Sequence, residues 1–295
     1  MRIILTNDDG IEAPGILAMR QALEEIGEVV TVAPDRNRSG VGRSISIGRS
    51  LSVEKREMAD GVMGYACSGT PVDCVRIVAM GLLDFEPDVV VAGINHGENL
   101  GDDITYSGTV AGALEGIVIG VPGIAVSLSI GRSWHQSKSV EAEYAPTEEL
   151  KEQGEEMNFA PVARFAARIT EVAFRELPKE RILNINAPNI PEAELKGAAV
   201  TRLGRRLYKD EIVEIKGDDE SIAYDIYNNP PGYEPDEGTD FAALEEGRIS
   251  VTPIHLDLTD REGLRETASW DVEALFAKLG LSKSSENGTG GGKGR

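Results

Sequence analysis

Four short, almost unbroken apolar runs, with helix-like sequence between them, restrict what this chain can fold into. They are Arg2–Thr6 (RIILT), Val29–Ala33 (VVTVA), Asp88–Ala92 (DVVVA) and Gly123–Ser127 (GIAVS). None shows the in–out alternation of a strand with one wet face. Strands of this kind are buried on both sides, which occurs in parallel sheets covered by helices above and below. The helices are legible too. Ile16, Met19, Leu23 and Ile26 keep helical spacing, and Ser107–Gly120 reads as a helix. Thr70-Pro71 supplies a cap and a first helical residue ahead of Val72, Val75, Ile77 and Val78. The expected class is α/β, a doubly wound and mostly parallel sheet.

After Ser127 the pattern changes. Glu141–Glu156 holds seven glutamates and one lysine without an apolar period, and reads as a solvated surface insertion. Phe159–Leu177 restores helical spacing through Val162, Phe165, Ile169 and Val172, and Ile182–Asn186 returns to strand. From Val200 to Pro253, Ile212-Val213, Ile222-Ala223-Tyr224 and the turn-like Asn228-Asn229-Pro230-Pro231-Gly232 suggest extended hairpins, with Arg248–Thr252 as a further strand. Trp270–Leu279 reads as a closing helix. The Gly-rich tail has no strand before it and no helix after it, so it is no phosphate loop. The expected division is a core over 1–198 with the acidic insertion near 133–158, a hairpin-rich extension over 199–260 carrying oligomer contacts, a helix over 261–281, and a flexible tail over 282–295.

Charge narrows the partners. The 295 residues include 30 Lys+Arg against 50 Asp+Glu, a formal net charge of −20, so a phosphate polymer would be repelled and no nucleic-acid polymer is expected as partner. A halophile-like surface and a moderately acidic cytosolic protein both fit this balance. The two cysteines, Cys67 and Cys74, form neither a disulfide framework nor a zinc pattern and suit a reducing compartment. Two acids among the first nine residues leave no room for a signal-peptide apolar region. The uncharged run Gly116–Ile130 is cut by Gly120, Pro122 and Gly123, too short for a membrane span of about 20 apolar residues. A cytoplasmic protein without membrane contact is expected.

In an open parallel sheet, ligands bind beyond the carboxyl ends of the strands. The loops that leave those ends are Asn7-Asp8-Asp9-Gly10, Pro34–Gly40 and Gly93–Asn99. Adjacent carboxylates repel one another, and a divalent cation relieves that repulsion. With oxygens from Ser39 and Asn95, the set is all oxygen and selects Mg²⁺, Mn²⁺ or Ca²⁺ over zinc. The same Asn-Asp-Asp-Gly equally suits a turn with a helix cap. Ser107-Gly108-Thr109 at a helix start is either an ordinary cap or a phosphate cradle of free amides, and Ser68-Gly69-Thr70-Pro71 carries the same ambiguity. Arg36, Arg38 and Arg43 are either a solvated loop or a steering patch for an anion. His96 is the one histidine in these loops, as a plain loop residue or as a proton donor or substrate contact.

Several chemistries are disfavoured. Ser39-Gly40-Val41-Gly42 follows the second strand and lacks a third glycine, so it is no dinucleotide fingerprint, and no G-x-x-x-x-G-K-[ST] loop occurs. His96, His135 and His255 have no metal-helix spacing. The G-x-S-x-G elbow of α/β-hydrolases is missing.

Taken together, the segments Ile4–Ile11, Ala33–Gly40, Ser68–Val75, Gly93-Ile94-Asn95 and Tyr106–Val110 resemble the SurE family of stationary-phase survival proteins, which are 5′-nucleotidases. Leu183–Asn186, Thr201–Gly204 and Glu237–Asp240 look like further family segments, so the resemblance covers about 1–130 and, more loosely, 159–260. It implies a Rossmann-like core, one divalent metal (Mg²⁺ or Mn²⁺) per subunit, and hydrolysis of nucleoside 5′-monophosphates to nucleoside and phosphate. By motif position the metal ligands are Asp8, Asp9, Ser39 and Asn95. Asp8 and Asp9 are also the catalytic candidates, while Asn95, Ser107, Gly108 and Thr109 lie beside the phosphate. A homodimer or homotetramer is implied, with the hairpin region exchanged between subunits. The acidic stretch and Gly-rich tail depart from the family pattern. The alternative is a non-catalytic nucleotide sensor on the same fold, since fold does not fix function.

Overall fold

The computed structural model describes residues 1–130, 157–208, 211–215, 223–226 and 232–279. The acidic stretch 141–156 and the tail 282–295 lie outside them, as does part of the expected hairpin region. The described chain groups into two units, Met1–Leu256 and Asp257–Arg295.

The first unit opens with β1 (Arg2–Thr6), α1 (Pro14–Glu24), β2 (Glu28–Pro34), β3 (Val53–Glu57), β4 (Met63–Cys67) and α2 (Pro71–Ile77). It continues with β5 (Val89–His96), α3 (Gly108–Ile119), β6 (Gly123–Ser129), α4 (Phe159–Glu176) and β7 (Arg181–Pro188). Then come β8 (Ala198–Val200), β9 (Arg206–Leu207), β10 (Val213–Ile215), β11 (Ala223–Asp225), β12 (Gly232–Tyr233), α5 (Asp240–Glu245) and β13 (Ile249–His255). Nine strands form one sheet in the order β3-β4-β2-β1-β5-β6-β7-β13-β8. Every pair from β4 to β7 is parallel, while β3 and β13 run antiparallel to β4 and β7. The doubly wound, mostly parallel α/β expectation describes this architecture.

Strand periodicity sorts the core. Ile3, Leu5, Val89, Val91, Ile124 and Val126 pack against Ile16, Met19 and Leu23 of α1 and Val162, Ala163 and Ala166 of α4. Between those strand positions, Ile4, Val32 and Val90 meet Cys74 and Val75 of α2, and Ala92, Ala125 and Ile182 meet Val110 and Ala113 of α3. One residue of register therefore decides which helix layer a strand side chain joins.

Two elements differ from the sequence reading. The β3–β4 hairpin was not anticipated, because VEKRE is a charged edge strand and carries no apolar signal. In the second unit the helix expected over 261–281 is two short helices, α6 (Arg261–Ala268) and α7 (Val272–Ala277). Leu264 is the one large apolar side chain in α6, and Asp260 caps that helix by accepting from the Glu262 amide at 2.9 Å. Within the expected hairpin region the described residues form the antiparallel pairs β10–β11 and β12–β9.

Candidate metal and phosphate site

The parallel core reads β4-β2-β1-β5-β6-β7, so successive strands wind outward in opposite directions from the β1–β5 boundary. The loops leaving β1 and β5 diverge there and open the crevice in which such sheets bind ligands. Asp8 and Asp9 lie two and three residues beyond the end of β1, and Asn95 lies at the end of β5.

The Asn-Asp-Asp-Gly turn does form. The Asn7 side chain donates to the Gly10 carbonyl at 2.9 Å and accepts from the Gly10 amide at 3.2 Å. This closure sets Asp8 and Asp9 at the rim. Asp8, 3% exposed, accepts from the Thr109 hydroxyl. The start of α3 presses on the same carboxylate: a Cβ on Gly108 would fall 2.8 Å from Asp8 Oδ2. Burial raises the Asp8 pKa, against the lowering effect of the Thr109 hydroxyl and the Gly108 and Thr109 amides. Asp9 accepts from the His96 amide at 3.0 Å. Burial first, and then the neighbouring Asp8 charge, push Asp9 up to about 8.

The other two loops are tied in one residue away from the expected ligands. The Arg38 amide donates to the Asp8 carbonyl at 2.6 Å, which places Ser39 next to the turn. Ser39 donates its amide to Asn37 Oδ1 at 2.7 Å, and its hydroxyl has no partner among the described residues. Asn95 donates its side-chain amide to the Gly97 carbonyl at 2.8 Å, which leaves its oxygen as the end available to a cation. Direct contact thus joins Asp8 to Gly108 and Thr109, and Asp9 to the His96 amide, while Ser39 is tied in through the backbone of Arg38 and Asn95 precedes His96.

The phosphate segment shows a double commitment. Ser107 caps α3 by accepting from the Val110 amide at 3.0 Å, and the Thr109 hydroxyl is taken by Asp8. The feature left for an anion is the positive end of α3. Of the three loop arginines, Arg38 donates to the Ser68 carbonyl at 2.6 Å and Arg43 to Glu115 at 3.2 Å, whereas the Arg36 side chain is 67% exposed. His96 Nε2 is buried without a partner, and burial lowers its pKa.

Sequence reasoning missed a polar support beneath this rim. Asn99 donates its amide to Asn186 Oδ1 at 2.8 Å and its side chain to the Ser127 hydroxyl at 2.8 Å. Asn184 and Asn186 return bonds to the Asn99 carbonyl at 2.8 and 3.0 Å. This fixes the loop that begins with Asn95. The available signal was asparagine at alternate positions of an otherwise apolar strand, since a buried amide needs a partner.

Among the described residues, no group of three or more His, Cys, Asp or Glu side chains is placed to hold a metal. The Asp8, Asp9, Ser39 and Asn95 set has only two acids, and its other donors are a hydroxyl and an amide. It fits a hard cation: two carboxylates strained by burial and mutual charge, in a donor set made of oxygen alone.

Fold and site define a doubly wound α/β protein with an acidic, helix-facing crevice at its switch point. The family model "Survival protein SurE" matches residues 3–210. The 5′-nucleotidase SurE of Rubrobacter xylanophilus is 66% identical over 279 residues, covering 94% of this chain and 100% of the relative. That of Geobacter sulfurreducens is 43% identical, covering 95% and 97%. A crystal structure of the SurE protein from Aquifex aeolicus superposes with a TM-score of 0.69 at 36% identity, covering 90% of this chain and 98% of that one. The chain belongs to the SurE family.

Proposed function

We propose that this protein is a 5′-nucleotidase, a phosphomonoesterase that hydrolyses nucleoside 5′-monophosphates with one divalent cation, Mg²⁺ or Mn²⁺, per subunit. The observation that carries this reading is the Asp8–Asp9 pair at the β1–β5 switch point, with the start of α3 set against Asp8. A divalent cation held by Asp8, Asp9, Ser39 and Asn95 supplies Lewis acidity and offsets phosphate charge. Relatives bearing the name 5′-nucleotidase SurE support the substrate class.

The chain's own groups divide the remaining work. Asp8 is enclosed by Thr109 and Gly108, so it serves as the fixed anchor of the site. Asp9 is half-buried and held from one side by the His96 amide, so it is the carboxylate placed to take a proton from an attacking water. The positive end of α3 faces the crevice and stabilises charge on the phosphoryl oxygens during in-line transfer. Gly108 permits this, because any side chain there would collide with Asp8. A nucleotide sensor would have no need of two adjacent acids, one buried and one half-buried. We further read the protein as a cytoplasmic homodimer or homotetramer that uses its hairpin extension, residues 199–260, for contacts. Among the described residues no helix is long and apolar enough to cross a membrane.

The test is phosphate release from AMP and GMP with Mn²⁺ or Mg²⁺. Release by the wild type, stopped by EDTA and lost in Asp8→Asn, is expected. Full Mn²⁺-dependent activity in Asp8→Asn would refute the site.

A further inference from the structure

Glu115 is a carboxylate that the mechanism does not use, and it is 1% exposed. It lies on α3 seven residues beyond Gly108, roughly 10 Å along a helix rising about 1.5 Å per residue. Its Oε2 accepts from Arg43 Nη2 at 3.2 Å and its Oε1 from Arg76 Nε at 2.6 Å. Neighbouring α3 positions are apolar or small, among them Val110, Ala111 and Ala113. The carboxylate is buried while its two arginine partners are 39% and 47% exposed, so one buried group holds two surface side chains against the helix.

Arg43 belongs to a strap, residues 35–52, that contains no helix or strand. Ser39 lies on it, four residues before Arg43. Side-chain and backbone anchors hold the strap in place of a ladder. The Gly42 amide donates to the Tyr106 carbonyl at 2.9 Å, next to the Ser107 cap of α3. The Thr70 hydroxyl donates to the Ser44 carbonyl at 2.8 Å, and Ser46 donates its amide and hydroxyl to Asp73 at 3.1 and 2.7 Å. Arg43–Glu115 is the ion pair among these anchors that ties the strap to the body of α3, the helix whose first turn contacts Asp8. Arg76, on α2, holds the second oxygen and belongs to no part of the strap.

We propose that Glu115 is a positioning residue: through Arg43 it sets the strap that presents Ser39, and so governs how tightly the Asp8–Asp9 crevice holds a divalent cation. This rests on Ser39 being a ligand, as read above. The two arginines make the idea separable from a merely structural role. If Glu115 acts through the strap, the Arg43 arm matters for cation binding and the Arg76 arm does not.

The experiment titrates the cation-free, full-length protein with Mn²⁺ alone by calorimetry, alongside thermal denaturation. Glu115→Gln and Arg43→Ala should each weaken Mn²⁺ binding about tenfold, with the double variant little weaker than either single one. Arg76→Ala should stay within about twofold of wild type while still lowering thermal stability. Wild-type affinity in Arg43→Ala, or equal weakening in Arg43→Ala and Arg76→Ala, would overturn the proposal. If Glu115→Gln does not fold, Arg43→Ala decides, since its side chain is 39% exposed and its loss opens no cavity in the core. Asp8→Asn is the control. Should it bind Mn²⁺ like wild type, the site reading fails and this proposal falls with it; should it alone lose binding, only the role of Glu115 fails.

Discussion

Replacing Asp9 by asparagine isolates the electrostatic strain of the crevice. Without a cation, burial and the Asp8 charge raise the Asp9 pKa from 3.8 to about 8. Between those limits the folded chain holds a proton that the unfolded chain has released. Stability contributed by this group is therefore complete below the unfolded value and is lost as pH rises toward the folded one. The slope approaches about 1.4 kcal/mol per pH unit, so from pH 5 to pH 7 the wild type should lose up to about 3 kcal/mol through this carboxyl. Asparagine carries no such proton. Urea denaturation in EDTA at pH 5, 6 and 7 should show Asp9→Asn becoming more stable relative to wild type as pH rises, with that figure as a ceiling because Asp8 shares the environment. Other titrating groups are common to both proteins and cancel in the difference. Adding Mn²⁺ should stabilise the wild type most at pH 7, where both acids can ionise against it, and should stabilise the variant much less. A stability difference that stays constant between pH 5 and pH 7 would refute the reasoning, because it would mean that Asp9 is already ionised in the folded protein.

Asp240→Ala removes a buried acceptor that binds the amides of Gly101 at 2.8 Å, Gly204 at 2.8 Å and Phe241 at 3.0 Å. Three orphaned donors at about 1 kcal/mol or more each predict a loss of at least about 3 kcal/mol by urea denaturation. Asp240→Asn, which keeps an oxygen, should lose less. Gly15→Ala would place its Cβ 2.0 Å from the Ile94 carbonyl oxygen. Backbone must move to admit it, at a cost of about 1–3 kcal/mol in thermal denaturation. Asn95 follows Ile94, so Mn²⁺-dependent phosphate release should fall in this variant as well.

The strands and helices of the core were legible because each carries its own period. Apolar runs such as VVTVA and DVVVA announce burial on both faces, and Thr70-Pro71 announces a helix start that the structure realises with a full capping box. The charged edge strand β3 was not legible, because it does not depend on an apolar pattern, and neither was the break that divides the helix expected over 261–281 into α6 and α7. In the site, adjacency made Asp8 and Asp9 visible. The same local sequence could not show that the Thr109 hydroxyl is taken by Asp8, that Asn184 and Asn186 support the Asn95 loop, or that Glu115 reaches across to Arg43. Those partners lie 101, 85, 87 and 72 residues apart in the chain.

By itself, then, the sequence determined the doubly wound sheet, the polar loops at its carboxyl edge and the two acids after β1, since periodicity and turn chemistry act over a few residues. Tertiary structure alone decided which of those loops meet and how strongly the acids resist ionisation. Desolvation and hydrogen bonding depend on neighbours that only the folded chain brings within a few ångströms.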